Sequence, residues 1–388
     1  MTRLMNNYGR LPLVITTAAG SYVTDEQARR YLDFTSGIAV CNLGHRPAAV
    51  EEAVQAQLQQ VWHTSNLFEN RLQEKVAASL VVGIGAPGKV FFCNSGTEAN
   101  EAAIKLARKY TGKETIVSFE QSFHGRTYGA MAATGQAKIH NGFGRLLAGF
   151  DYLPFNDSAA LIEKLTTDDA IAAVMLELVQ GEGGVYPADS TFIDTLVQLC
   201  TAKKILIIVD EVQTGFGRTG ELFATQQYQF VPDIMTLAKG LANGIPAGAV
   251  FAKPAVASAF TPGTHGSTFG GNYLAMAAAE AVLTTLTTTG FMAEVRQKSA
   301  YFMAQLREIA NASPLITAVR GRGFLIGLEC NQVVAPLIEA CRAAGLLLLS
   351  AGATVIRLLP PITASYRELN EALALLTVVF EQSPPLIK

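Results

Sequence analysis

Apolar positions along the middle of the chain follow two alternating rhythms. In "AAVEEAVQAQLQQVW", Val50, Val54, Leu58 and Val61 fall three or four residues apart, the spacing that lines one face of a helix. Short unbroken apolar runs follow: "KVFFCN" (89–94), "ETIVSF" (114–119), "IAAVMLEL" (171–178), "ILIIVD" (205–210) and "AGAVFA" (247–252), each read as a strand. "TEANEAAIKLARKYTG" reads as a helix that stops at Gly112, where a C-terminal glycine is expected, and a further helix is predicted over 189–203. Strands this continuously apolar are covered on both faces, as in a mostly parallel α/β sheet.

After about residue 285 the order changes to helix 294–311, short strands near 315–319 and 324–329, helix 333–344, strand 354–358 and an amphipathic helix from 366. The expected fold class is therefore α/β. A large domain over 46–285 holds the mostly parallel central sheet, and a smaller α+β domain spans 286–388. The first 45 residues, rich in turns and short strands, are expected to pack with the small domain. No repeat, low-complexity segment or flexible linker separates the lobes.

Composition narrows the class. Of 388 residues, 49% are hydrophobic and 16% charged, which supplies a large core and argues against disorder. The net charge of −2 is spread evenly, with no basic stripe for a nucleic acid. The five cysteines are scattered without a C-x-x-C pair and read as small apolar fillers in a reducing compartment. The histidines lack ligand spacing, so no metal site is expected. The uncharged run 254–279 is broken by prolines, glycines and a histidine, and "MTRLMNNYGRLPL" lacks a signal-peptide core. The expectation is a soluble, cytoplasmic protein with no membrane partner.

Five stretches could carry chemistry. "GIGAPG" (83–88) matches a dinucleotide fingerprint, but that motif works only between a strand and a helix; here a helical segment precedes and a strand follows, so a plain connecting loop is the better reading. "CNSGTEANEAAIKLAR" runs strand, turn, helix, so the N–H groups near Ser95, Gly96 and Thr97 could hold an anion, or a hydroxyl there could simply cap the helix. Asp210 ends an apolar strand, where a carboxylate either caps the next turn or holds a cationic ligand. Phe123 and Arg126 read singly as core and surface, or together as an aromatic lid with a carboxylate grip.

The fifth is "DIMTLAKGLANGIPAGAVFAK", where Lys239 is the one charge between Asp233 and Lys253. It is either a lysine whose stem snorkels at an interface or a desolvated amine able to attack a carbonyl. A phosphate cradle, an aromatic plate, a strand-end carboxylate and such a lysine together specify pyridoxal phosphate.

As a set, "YLDFTSGIAVCNLGH", "NSGTEANEAAIKLAR", "FHGRTYGAMAATG", "VQGEGGV", "VDEVQTGFGRTG", "LAKGLANGIPAGA", "GSTFGGN" and "IRLLPP" resemble the class III aminotransferases, of fold type I among pyridoxal-phosphate enzymes. Within that class they are most similar to the acetylornithine branch, ahead of the succinylornithine, ornithine-δ and 4-aminobutyrate branches. The resemblance implies that Lys239 carries the cofactor covalently and shuttles the proton, and that Asp210 pairs with the pyridine nitrogen. By the same resemblance Gly96 and Thr97 bind the phosphate, Thr268 reaches it from a partner subunit, Phe123 and Val212 cover the ring faces, and Gln213 lies near the phenolic oxygen. On the substrate side it implies Arg126 for the donor's distant carboxylate, Ser267 beside that donor, Arg357 for the 2-oxoglutarate α-carboxylate, Glu182 as Arg357's alternating partner, and Tyr8 from the N-terminal segment. A homodimer with shared sites is implied too. "GFGRTG" is left as a structural turn.

Overall fold

The computed structural model describes residues 3–382, and within them the five strands predicted for the large domain join two more, Phe150–Leu153 and Ile234–Leu237, in a seven-stranded sheet. Its strands are β1 (Lys89–Cys93), β2 (Thr115–Phe119), β3 (Phe150–Leu153), β4 (Ile171–Leu176), β5 (Leu206–Asp210), β6 (Ile234–Leu237) and β7 (Gly248–Ala252). They lie in the order β1-β7-β6-β5-β4-β2-β3, which puts β5 and its terminal Asp210 in the middle. Every neighbouring pair is parallel except those made by β7, which runs against both β6 and β1. Residues of β4, β5, β6 and β7 are buried without exception, as strands sandwiched between helices must be.

The carboxyl ends of six strands therefore share one edge of the sheet with the amino end of the reversed β7. Loops leaving β1, β2, β4, β5 and β6, and the loop entering β7, meet there. Ligands in open α/β sheets bind at such an edge.

A second antiparallel sheet contains β8 (Ile316–Arg322), β9 (Leu325–Cys330), β10 (Leu349–Ser350) and β11 (Val355–Leu358), in the order β8-β9-β11-β10. Arg357 sits on β11, opposite Gly327. The N-terminal strands Ile15–Ala19, Tyr22–Asp25 and Arg30–Asp33 form a third sheet, closed by parallel pairing of Leu32 with Leu346. One apolar cluster runs from Leu237 and Phe251 through Leu283 and Phe302 to Phe324, Leu358 and Leu376, so the sheets share a core. No single helix among the described residues is long and apolar enough to cross a membrane.

One departure from the sequence reading has a clear local cause. The helix starting at Ala48 ends at Leu58, leaving Val61 outside it and 41% exposed. Side chains terminate it: the Trp62 indole donates to the Leu58 carbonyl at 2.9 Å, and the Gln57 amide donates to the Val61 carbonyl at 2.7 Å. The stretch Ser36–Ala39 is a left-handed turn, with φ of 46° at Ser36, 62° at Gly37, 66° at Ile38 and 57° at Ala39. Left-handed backbone costs an L-residue about 1–2 kcal/mol each. Tertiary bonds hold it: the Ser36 hydroxyl donates to the Leu359 carbonyl at 2.6 Å, and the Leu359 N–H donates to the Phe34 carbonyl at 2.7 Å.

The same segment contains a pH-dependent contact. His45 Nε2 lies 2.8 Å from an Asp33 carboxylate oxygen, and the bond to Asp33, helped by Cys41 and opposed by burial, pushes the imidazole up to about 10. In the unfolded chain it titrates near ~6.5. A raised folded-state value stabilises fully below the unfolded value and is lost as pH climbs through about 10. Thermal midpoints of the wild type should therefore fall more steeply between neutral and alkaline pH than those of His45→Gln; parallel slopes would remove this pair from the account.

Candidate active site

The loops at the sheet edge enclose a cavity of about 350 Å³, lined by Gly96, Thr97, Asn100, Phe123, His124, Arg126, Glu177, Asp210, Val212, Gln213 and Lys239 among others. They come from the ends of five strands, β1, β2, β4, β5 and β6, or from the segments that follow them, which is why the groups are far apart in sequence.

Lys239 follows β6 by two residues, at the turn that leads to β7. Its φ is 44°, a left-handed conformation that costs a side-chain-bearing residue on the order of 1 kcal/mol or more and persists only where surroundings impose it. Burial depresses the affinity of its amine for a proton, and Arg357 adds to this; the carboxylates of Glu182, Asp210 and Glu177 act the other way without reversing it. The balance favours a nucleophilic free amine over a fixed cation.

Asp210 forms the floor and is 3% exposed. Its Oδ1 accepts from the Val212 N–H at 3.0 Å, so it does cap the turn that follows. Its Oδ2 accepts from Asn100 Nδ2 at 2.8 Å and lies 2.7 Å from His124 Nδ1. A carboxylate offers about four acceptor positions, so these three bonds orient Asp210 and leave capacity for one more donor. Burial opposes protonation of His124, but the bond to Asp210 and the charges of Asp210 and Glu177 outweigh it and raise its proton affinity. Glu177 is driven up to about 7, first by burial and then by the charge of Asp210, with His124 pulling the other way. Its carboxylate accepts from the Phe123 N–H at 3.0 Å, fixing the backbone beneath that ring.

At the opposite end, the helix Gly96–Thr111 points its N-terminus into the cavity. Ser95 is its cap, accepting from the Glu98 N–H at 3.3 Å. The Thr97 hydroxyl accepts from the N–H groups of Arg126 (3.2 Å) and Thr127 (3.3 Å), tying this turn to the Phe123–Thr127 loop. Gly96 is obligatory, since a Cβ there would come within 2.7 Å of Val212. Arg126 is exposed and lies over the Phe123 ring, 5.6 Å from its centroid.

Arg357 is 2% exposed and reaches the site through Gln213: its Nη1 donates to Gln213 Oε1 at 3.2 Å, to the Gly181 carbonyl at 2.8 Å and to Glu182 Oε1 at 2.7 Å. Burial works against the charge on Glu182, yet Arg357 holds its carboxyl below the usual range.

Glu182 and Arg357 thus meet the cavity only through Gln213, and three further expected residues do not reach it in the single chain. Tyr8 is 67% exposed in the N-terminal stretch, with the Arg10 guanidinium 5.8 Å from its ring centroid. Ser267 turns its hydroxyl to the Gly270 N–H (3.0 Å) and to Asn94 Nδ2 (3.1 Å), closing its own turn. Thr268 is exposed in a separate hollow with Asn94, Glu98, Glu101 and Phe269. Conversely, Asn100, His124 and Glu177 are site residues that pattern reading passed over. The one available signal was polar side chains inside otherwise apolar segments, a sign easily assigned to capping.

The family profile for class-III aminotransferases matches residues 4–380. The chain belongs to the class-III aminotransferases. A Listeria innocua acetylornithine aminotransferase is 54% identical to this class-III chain over 98% of each sequence. A crystal structure of N-acetylornithine aminotransferase from Stenotrophomonas maltophilia superposes with a TM-score of 0.85 at 35% identity, covering 96% of this chain and 97% of the other. The ornithine aminotransferase of Toxoplasma gondii gives a TM-score of 0.94 at 31% identity, covering 98% and 92%.

Enzymes of this class use pyridoxal phosphate, and the cavity fits it on its own evidence. A helix N-terminus suited to a phosphate stands at one end and an oriented carboxylate with spare acceptor capacity at the other. Phe123 and Val212 supply apolar surface, and the desolvated Lys239 amine suits an aldehyde. The close approach of Val212 to Gly96, which excludes any Cβ, is what narrows the cavity at the phosphate end.

Proposed function

We propose that this class-III aminotransferase transfers the ω-amino group of N2-acetyl-L-ornithine to 2-oxoglutarate, giving N-acetyl-L-glutamate 5-semialdehyde and L-glutamate, a step of arginine biosynthesis. Bound pyridoxal phosphate would supply an aldehyde for the amine and a ring that takes up the electron pair released at carbon. Lys239 holds that group and then, as a free amine, carries the proton between the reacting carbons. Asp210, fixed by Asn100 and His124, keeps negative charge against the ring nitrogen. Gly96 and Thr97, with Thr268 from a partner subunit, take the phosphate; Phe123 and Val212 cover the ring faces, and Gln213 attends the phenolic oxygen.

The observation that carries the substrate reading is the Glu182–Arg357 pair at 2.7 Å beside Gln213. One site must accept an amine donor and then a dicarboxylate. With Glu182 on Arg357 the charge is neutralised for the donor; with Glu182 turned away Arg357 is free to grip the acceptor's α-carboxylate bidentately. Burial makes the partner exchange matter, because an unpaired charge in a poorly solvated place costs several kcal/mol. Glu182→Ala should therefore slow the donor half-reaction by about tenfold or more while sparing the acceptor half-reaction; equal effects in single-turnover traces would refute the exchange.

Arg126 at the outer end suits the donor's carboxylate, with Ser267 and Tyr8 completing that end in our reading. The acidic residues lining the cavity, Glu177 and Asp210, are both buried at its floor. A free α-ammonium beside Arg126 would thus lack a carboxylate partner, and acylation removes that cation. The fold likeness to an ornithine aminotransferase makes unacylated ornithine the second reading. Transamination with 2-oxoglutarate, measured side by side for N-acetylornithine, N-succinylornithine, ornithine and 4-aminobutyrate, decides among them; preference for free ornithine would overturn the substrate assignment. Borohydride should bleach the yellow holoenzyme and fix an adduct on Lys239.

We further propose a cytoplasmic homodimer and a division of the chain at about residues 45 and 285. Leu58, Val61, Trp62, Leu67 and Phe68 are exposed, and within the same stretch Asn66 donates to the Ser267 carbonyl at 3.0 Å while the His63 ring lies 5.2 Å from that of Phe269. An apolar patch of this kind, carrying Thr268 at its edge, suits a surface that completes a partner's phosphate site.

A further inference from the structure

Arg218, in the "GFGRTG" turn, is the largest fully buried side chain among the described residues, with 0% exposure. Among the described residues it has no carboxylate partner, and burial pulls its guanidinium down to about 9. What it has instead are oxygens from three distant parts of the sequence. Nη2 donates to Asn42 Oδ1 at 2.7 Å, and Nη1 donates to the Phe324 carbonyl at 3.2 Å and to the Pro360 carbonyl. A charged donor deep in the protein and spent on neutral acceptors is costly, so a mere turn does not account for it.

The three acceptors share a geometric meaning. Phe324 immediately precedes β9, and Pro360 lies two residues beyond the end of β11. These strands pair across Gly327 and Arg357, so the guanidinium clasps the small sheet next to its substrate-facing arginine. Asn42 extends the clasp to the other side. Its side-chain amide donates to the Phe216 carbonyl at 2.9 Å, its backbone carbonyl accepts from the Ile362 N–H at 2.8 Å, and its Nδ2 packs so closely on Gly240 that a Cβ there would lie 2.5 Å from it. Gly240 is the residue after Lys239. The path Arg357–β11–Pro360–Arg218–Asn42–Gly240–Lys239 is thus continuous through bonds and packing.

We infer that Arg218 is a positioning residue that sets the placement of Arg357 relative to Lys239, and so governs capture of the dicarboxylate acceptor. This rests on Arg357 binding that acceptor, as proposed above. The donor half-reaction is less sensitive, because there Arg357 is neutralised by Glu182 and its position is not read by substrate. A residue that only stabilised the fold would affect both halves alike.

The test uses holoenzyme of the wild type, R218K, N42A and R357K, with thermal midpoints recorded and the two half-reactions followed separately by the cofactor's absorbance. R218K keeps the charge but cannot span three acceptors. It should weaken saturation by 2-oxoglutarate by about tenfold and change the donor half-reaction by less than about threefold. N42A, which shortens the clasp without touching the arginine, should shift the same parameter in the same direction and decides the matter if R218K does not fold. Unchanged acceptor saturation, or equal loss in both halves, in a folded variant overturns the inference. R357K separates the two layers: a wild-type acceptor half-reaction there sinks the underlying reading, and this inference with it.

Discussion

Lys239→Ala should lower transamination by at least about 10⁴-fold while leaving the protein folded. The residue has two duties, attachment of the cofactor and movement of a proton between carbons, and no other amine lines the cavity. Its position cannot be borrowed. The turn from β6 toward β7 holds it at a φ of 44°, and the buried surroundings that make its amine reactive belong to that place alone. Alanine keeps the Cβ and with it the left-handed strain, but removal of a desolvated amine should offset part of the packing loss, so the thermal midpoint should move little. Single-turnover reaction with the amino donor is the measurement. Added methylamine should restore a fraction of the rate by replacing the missing base, an outcome that general misfolding would not give. Activity within a hundredfold of wild type would end the assignment.

Asp210→Asn should cost about 10²–10³-fold in kcat, since it removes a charge aimed at the reacting group while keeping the shape. The substitution preserves an acceptor for the Val212 N–H but alters the partnership with His124 and Asn100. Without the aspartate's charge, the chief support for a protonated His124 disappears and burial favours the neutral ring. The pH profile should change as well as the rate, and a merely structural carboxylate would not produce that. A variant with normal melting and a rate within tenfold of wild type would show that this carboxylate does not act on the ring.

Much of this was legible in the residue order, for reasons that differ by element. β4 and β5 announce themselves because they are buried on both faces and therefore apolar throughout. The stop at Gly112 was readable because its φ of 69° is a glycine conformation. β6 carries no such mark, although Ile234–Leu237 lies just before the conspicuous Lys239. A short strand, a turn and a loop that are all interior have no polar punctuation to divide them. The reversal of β7 is likewise silent, since a buried strand has the same pattern in either direction.

The site divides in the same way. Lys239 and Asp210 were found because a charge in an apolar run is conspicuous. His124 and Asn100 were not, because their role is to hold another residue, and such support becomes visible only when chain segments far apart meet. Ser267, Thr268 and Tyr8 show the opposite limit: one copy of the chain leaves them at its surface or in their own turns.

The left-handed turn at Ser36–Ala39 bears on how an active molecule comes into being. Val40, one residue beyond it, forms part of the cleft wall, and the turn is fastened by the carbonyl of Leu359. A nascent chain emerging from the ribosome can present every strand of the central sheet by Ala252 and still lack that wall, because its fastening group, Leu359, is synthesised later. Competence therefore waits for Leu359, and a product truncated before it would leave this side of the cleft unfastened.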